Sequence, residues 1–178
     1  MRLLLILLLL AGPAAAETTA SPRDNLEAAL KSAPNEAAAA ALEAQIRDSW
    51  ARAGTPAVRL LVARGARELS EGAPGDALDS FDAALDLSPD LLDGWRGRAA
   101  ARRSLGDYTG AVHDLQELVK RDPDSFIAFA DLSRLAEARG DWKGALIAWQ
   151  RVLELDPQTP GGRVRLRDLK RRALGEQL

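Results

Sequence analysis

One interval organises this chain. Gly72, Gly106 and Gly140 stand 34 residues apart, as do Ala77, Ala111 and Ala145, and again Pro89, Pro123 and Pro157. Landmarks of three different residue types sharing one spacing mark an internal structural repeat. A unit of that size cannot bury its apolar face alone, so the units must stack into an elongated array with solvated ends.

The rest of the chain fits around that array. Residues 1–16 read as an export signal: Arg2, an unbroken apolar run from Leu3 to Leu10, Pro13, then small residues up to a cut after Ala16. The apolar run is about half of the ~20 residues that span a bilayer, which favours a cleaved signal over an anchor. The mature chain is therefore expected outside the cytoplasm, in a bacterial periplasm. Residues 17–22 read as a disordered leader. Residues 23–57 hold two helical stretches, the second with an apolar line through Ala39, Leu42, Ile46 and Trp50, and are expected to form a degenerate first pair or N-terminal cap. Three full repeats follow at 58–91, 92–125 and 126–159, and residues 160–178 are expected to form a basic capping helix docked through Val164, Leu166, Leu169 and Ala173.

Composition removes several function classes. Hydrophobic residues are 47% and charged residues 28%, an ordinary balance for a folded domain. A net charge of −2 argues against nucleic acid, whose binding needs a basic face that releases phosphate counterions. With no cysteine, disulfides, thiolate zinc sites and cysteine nucleophiles are impossible. The single histidine, His113, has no second ligand or base at a recognisable spacing, and acidic pairs such as Asp79/Asp82 sit at helical spacing on solvated faces. The residues thus predict no enzyme, no metal and no cofactor.

Aligned on the period, the repeats carry a bulky residue at position 4 (Leu61, Trp95, Phe129) and a small one at position 8 (Gly65, Ala99, Ser133). Alanine follows at 20, a large residue at 24 (Phe81, Leu115, Trp149) and proline at 32. This pattern resembles the tetratricopeptide repeat, over about 100 residues, and the chain as a whole resembles small exported alphaproteobacterial proteins of that type. The resemblance implies an all-α, right-handed superhelical solenoid of antiparallel helix pairs. Positions 7 and 11 depart from the family's leucine and tyrosine: Arg64 and Glu68 in repeat one, Arg98 and Arg102 in repeat two. Looser packing of those first helices is expected.

Such solenoids bind other proteins on the concave face lined by their first helices. At 100° per residue, positions 4, 8 and 11 face the neighbouring helices and positions 2, 5, 9, 12 and 13 face the groove. The groove candidates are Arg59, Val62 and Leu69 from repeat one, Arg96 and Arg103 from repeat two, and Ile127 and Arg134 from repeat three. Arginine forks beside apolar surface suit a peptide or protein segment bearing carboxylates; the competing expectation is that these arginines pair with Asp93, Asp131 and Glu137 as ordinary surface charge. One subclass of the family grips chaperone C-termini with lysine at position 5 and asparagine at position 9. Val62 and Ala66 stand there instead, so that clamp is missing. The tail offers a second surface, with Arg163, Arg167, Lys170 and Arg171 as candidates for contact with anionic lipid or an acidic partner. The leading expectation is a non-catalytic scaffold that binds a protein or peptide; the alternative is an envelope assembly factor touching membrane through its tail. Partner identity and oligomeric state are left open.

Overall fold

The computed structural model describes residues 21–175, and these form nine α-helices with no strand among them. The expected export signal and residues 17–20 of the expected leader lie outside the described residues. Ser21 and Pro22 of that leader instead begin a helix. Helix α1 (Pro22–Lys31) opens with a reciprocal capping box: the Ser21 hydroxyl accepts from the Asp24 amide and the Asp24 carboxylate accepts from the Ser21 amide.

The three repeats are helix pairs: α3 (Pro56–Ser70) with α4 (Pro74–Leu87), α5 (Leu92–Ser104) with α6 (Tyr108–Arg121), and α7 (Phe126–Ala138) with α8 (Trp142–Leu155). Each pair turns on its glycine. Gly72, Gly106 and Gly140 have φ of 74–80°, and a Cβ there would meet nothing within 4 Å, so the left-handed backbone rather than space requires glycine. The following amides (Ala73, Asp107, Asp141) reach back to carbonyls five residues earlier at 2.8–2.9 Å, closing each first helix. Asp107 and Asp141 then cap α6 and α8 by accepting from Gly110 and Gly144; repeat one has Pro74 in the first turn and no side-chain cap.

Packing follows the repeat pattern. Ala77, Ala111 and Ala145 are fully buried, and Phe81, Leu115 and Trp149 fill the space between helices. Phe81 shows how tight this is, because a Cβ on Gly97 of the next repeat would lie 2.1 Å from its ring. Positions 7 and 11 are not simply loose. In repeat two Arg98 and Arg102 converge on Asp114 (position 23), which is fully buried, so an ionic lattice occupies the volume of the family's leucine and tyrosine. In repeat one Glu68 bonds Ser80 at the same position 23, while Arg64 stays largely exposed. Repeat three is apolar at all three places: Leu132, Ala136 and Ala148.

The front pair is not a cap on repeat one. Helices α1 and α2 (Glu36–Ala51) pack against α8 and α5 rather than extending the stack ahead of α3. Leu30, Ala39, Ile46 and Trp50 share one core with Leu92, Leu118, Phe126, Ile127 and Leu155. Those partners sit where one repeat hands over to the next, so the hairpin runs as a strap along the edge of repeats two and three. The 34-residue landmarks are missing at 23–57, so this pair does not present the repeat's packing surface to α3, and its apolar side covers the inter-repeat edge instead.

At the other end, α9 (Gly162–Ala173) packs on α8. Leu169 is buried and Leu166 and Ala173 are half-buried, but Val164 is 62% exposed and does not dock.

Candidate functional site

The first helices α3, α5 and α7 line a concave groove of about 370 Å³. Val62, Ala66 and Leu69 form one apolar wall and Phe81, Ala99 and Leu135 reach its floor; Arg96, Arg103 and Arg134 enter from α5 and α7. Five of the seven predicted groove residues therefore meet in one cavity: Val62, Leu69, Arg96, Arg103 and Arg134.

Two do not. Arg59 folds back along its own helix entry, donating to the Gly54 carbonyl at 2.8 Å. Ile127 is 5% exposed beneath the α1–α2 strap. Position 2 of repeat three faces the groove side of its helix, but the strap covers it, and nothing in the period foretells that.

The arginines differ in availability. Arg96 Nε lies 2.8 Å from Asp131 Oδ2, and Arg134 Nη1 lies 2.5 Å from Asp131 Oδ1, so one half-buried carboxylate is shared by two guanidinium groups. Arg103 is exposed and has no ion-pair partner among the described residues. Asp93 borders the same cavity, and its burial pushes the carboxyl above its ordinary value while Arg96 pulls it down. Three cations face two carboxyls, leaving the groove with an excess of positive charge. Glu137, expected to pair with the groove arginines, instead binds Arg165 of α9.

The tail splits likewise. Arg165 stacks on Trp149, 4.5 Å from the ring centre, and Arg172 stacks on Trp142 at 4.7 Å, so these two cations fasten α9 to repeat three. Arg171 and Arg172 both bond Asp168. Of the named tail candidates, Arg163, Arg167 and Lys170 are exposed with no ion-pair partner among the described residues, and Arg171 is engaged.

Residues 96–160 match the family model described as tetratricopeptide repeat. That stretch carries tetratricopeptide repeats. A tetratricopeptide repeat-containing protein of Rhizobium etli is 27% identical over 134 residues, covering 75% of this chain and 66% of the relative. The chain spans no more than about two thirds of the length of such relatives. The tetratricopeptide fold also superposes on the first such domain of Spaghetti (RPAP3) bound to an HSP90 peptide, with a TM-score of 0.61, 22% identity, and 68% and 96% of the two chains covered. The Sgt2 domain from Aspergillus fumigatus gives a TM-score of 0.61 at 25% identity, covering 67% of this chain and 81% of that one.

Reading the tetratricopeptide period alone missed two sets of residues. Asp114 is one, since its role appears only when positions 7, 11 and 23 are compared together across repeats. The strap contacts are the other. A trace of them stands in the sequence: the residue before the repeat proline is Asp122 and Asp156 in repeats two and three, where the strap docks, but Ser88 in repeat one, where it does not.

Proposed function

We propose that this chain is a non-catalytic interaction module that holds a segment of another protein in the concave groove, with carboxylate groups of that segment on Arg96, Arg103 and Arg134. The observation that carries the reading is the pairing of an apolar wall with an arginine that no carboxylate neutralises: Val62 and Leu69 opposite Arg103. Apolar side chains of a bound segment gain from leaving water against Val62 and Leu69. Arg103, together with arms of Arg96 and Arg134 not spent on Asp131, offers planar donors for carboxylates. Solved tetratricopeptide domains of similar shape, such as the one bound to an HSP90 peptide, support a groove-binding role. The lysine and asparagine of the chaperone clamp are replaced here by Val62 and Ala66, so the bound segment is expected to differ from a chaperone tail. The export signal in residues 1–16 supports placing this activity in the periplasm.

The test is affinity capture from a periplasmic extract with the wild-type chain and with Arg96→Glu/Arg103→Glu. Loss of the captured protein with the variant, at unchanged melting temperature, supports the groove reading. Equal recovery by both chains removes it.

A second reading rests on the exposed Arg163, Arg167 and Lys170 of α9: contact with anionic membrane in an assembly role. Co-sedimentation with vesicles containing an anionic phospholipid should then depend on salt and vanish in Arg163→Glu/Arg167→Glu/Lys170→Glu.

A further inference from the structure

Beside its apolar core, the strap meets the repeats through acids facing acids. Glu27 of α1 lies against Asp122 at the end of α6, and Glu43 of α2 lies against Asp156 at the end of α8, each pair within hydrogen-bonding reach. All four are buried: the residues are 8% and 2% exposed in the first pair, 7% and 0% in the second. Glu27 Oε1, Asp122 Oδ2 and both Asp156 oxygens are buried and find no hydrogen-bond donor within the protein.

Their surroundings do not supply enough positive charge. Facing the first pair is Arg23 of α1, with Nε 3.6 Å from Glu27 and 3.9 Å from Asp122, outside good hydrogen-bond distance of either. Asp24 and Asp124 add negative charge, and Asp124 is itself occupied by Lys31 and by Arg151 of α8. Facing the second pair, Arg47 of α2 binds Glu43 at its open side and Thr159 reaches Glu43 at 3.5 Å; no cation pairs with Asp156 among the described residues. Two ionised carboxylates in contact and out of water repel. A carboxylic acid and a carboxylate in the same place share a hydrogen bond.

We propose that the α1–α2 hairpin is a pH-sensitive strap, fastened to repeats two and three by one shared proton in each carboxyl pair and released when those protons are lost. In the docked state Glu27 and Asp156 are pushed up to about 7, and Asp122 is raised, chiefly by burial. Docking therefore takes up protons. Its equilibrium is fully favourable below the ordinary carboxyl range and weakens as pH rises through neutrality, by up to tenfold per pH unit for each pair. Among the described residues no such carboxyl pair stands at repeat one, where Ser88 takes the place of the aspartate. Release would uncover Leu92, Phe126 and Ile127, lengthening the apolar surface beside the groove.

Because the chain has no cysteine, two spin labels can be placed cleanly at exposed Ala40→Cys on α2 and Gln150→Cys on α8. Electron–electron distance measurements on the full chain should give one narrow distribution at pH 5 and a second, longer and broader population at pH 8. Adding Glu27→Gln and Glu43→Gln, which supply a permanent donor in place of the proton, should keep the narrow distribution at both pH values. If that variant does not fold, Asp122→Asn with Asp156→Asn places the same donor on the other side. An identical distribution from pH 5 to pH 8 in the wild-type chain overturns the proposal, as does an amide variant that opens with the wild-type pH profile.

Discussion

Arg98 grips Asp114 with two parallel bonds, Nη2 to Oδ1 at 2.9 Å and Nε to Oδ2 at 3.2 Å, where a hydrophobic contact would ordinarily join the two helices of the unit. Arg102 adds a third bond to the same carboxylate at 2.8 Å, and Arg98 extends to Asp82 of the preceding repeat at 2.7 Å. The lattice thus ties α4, α5 and α6 together, and Arg98 also stacks on Trp95 with Arg121.

Removing the centre of that lattice leaves two guanidinium groups without their buried counter-charge. Asp114→Ala should cost about 3 kcal/mol, read from urea unfolding. Replacing the three together (Arg98→Leu, Arg102→Tyr, Asp114→Ala) restores an apolar interface and should recover most of that loss. A single Asp114→Ala as stable as the wild type would show the lattice to be dispensable.

Gly97→Ala should destabilise by about 2 kcal/mol, because its Cβ would fall 2.1 Å from the Phe81 ring and the ring is fixed on the Gly65 side as well. Shortening the ring in Gly97→Ala/Phe81→Leu should return part of the loss. At Gly106, where space is open but φ is 80°, alanine should cost only about 1 kcal/mol through backbone strain. Melting curves of the variants order the two effects.

The repeats were legible because each landmark answers a local demand that recurs: a left-handed turn at Gly106, a close approach at Ala111, a filled gap at Leu115. The groove followed from the same period, which placed Val62, Leu69, Arg96, Arg103 and Arg134 on one face. What failed was not periodic. Ile127 sits at a groove position but lies under the α1–α2 strap, and Arg59 turns to Gly54, because both depend on how residues 23–57 return across the array. Leu30, Ile46 and Trp50 announce amphipathic helices, and an amphipathic face does not say which surface will cover it.

The carboxyl pairs carry a stability signature of their own. The folded-state values of Glu27 and Asp156 lie at about 7, above the ordinary 4.5 and 3.8, so their contribution is complete below pH 4 and is lost as pH rises through 7. Glu43→Gln should accordingly melt close to the wild type at pH 5 and higher than the wild type at pH 8. Equal differences at both pH values would separate the pair from the pH dependence.

On α9 the cations should divide by role. Arg165→Ala should cost about 1–2 kcal/mol, since it removes the stack on Trp149 together with the bond to Glu137. Arg163→Ala and Arg167→Ala should change stability by less than about 0.5 kcal/mol, because neither has a partner to lose among the described residues. Chemical denaturation of the three variants decides the assignment.

Whether the groove holds an acidic segment of another protein can be read by selecting a random peptide library on the wild-type chain and on Arg96→Glu/Arg103→Glu in parallel. Peptides enriched on the wild type should combine aspartate or glutamate with an apolar residue, and Val62→Asp should also abolish their binding. Enrichment of the same peptides on both chains, or a wild-type set with no excess of acidic residues, would contradict groove binding of this kind.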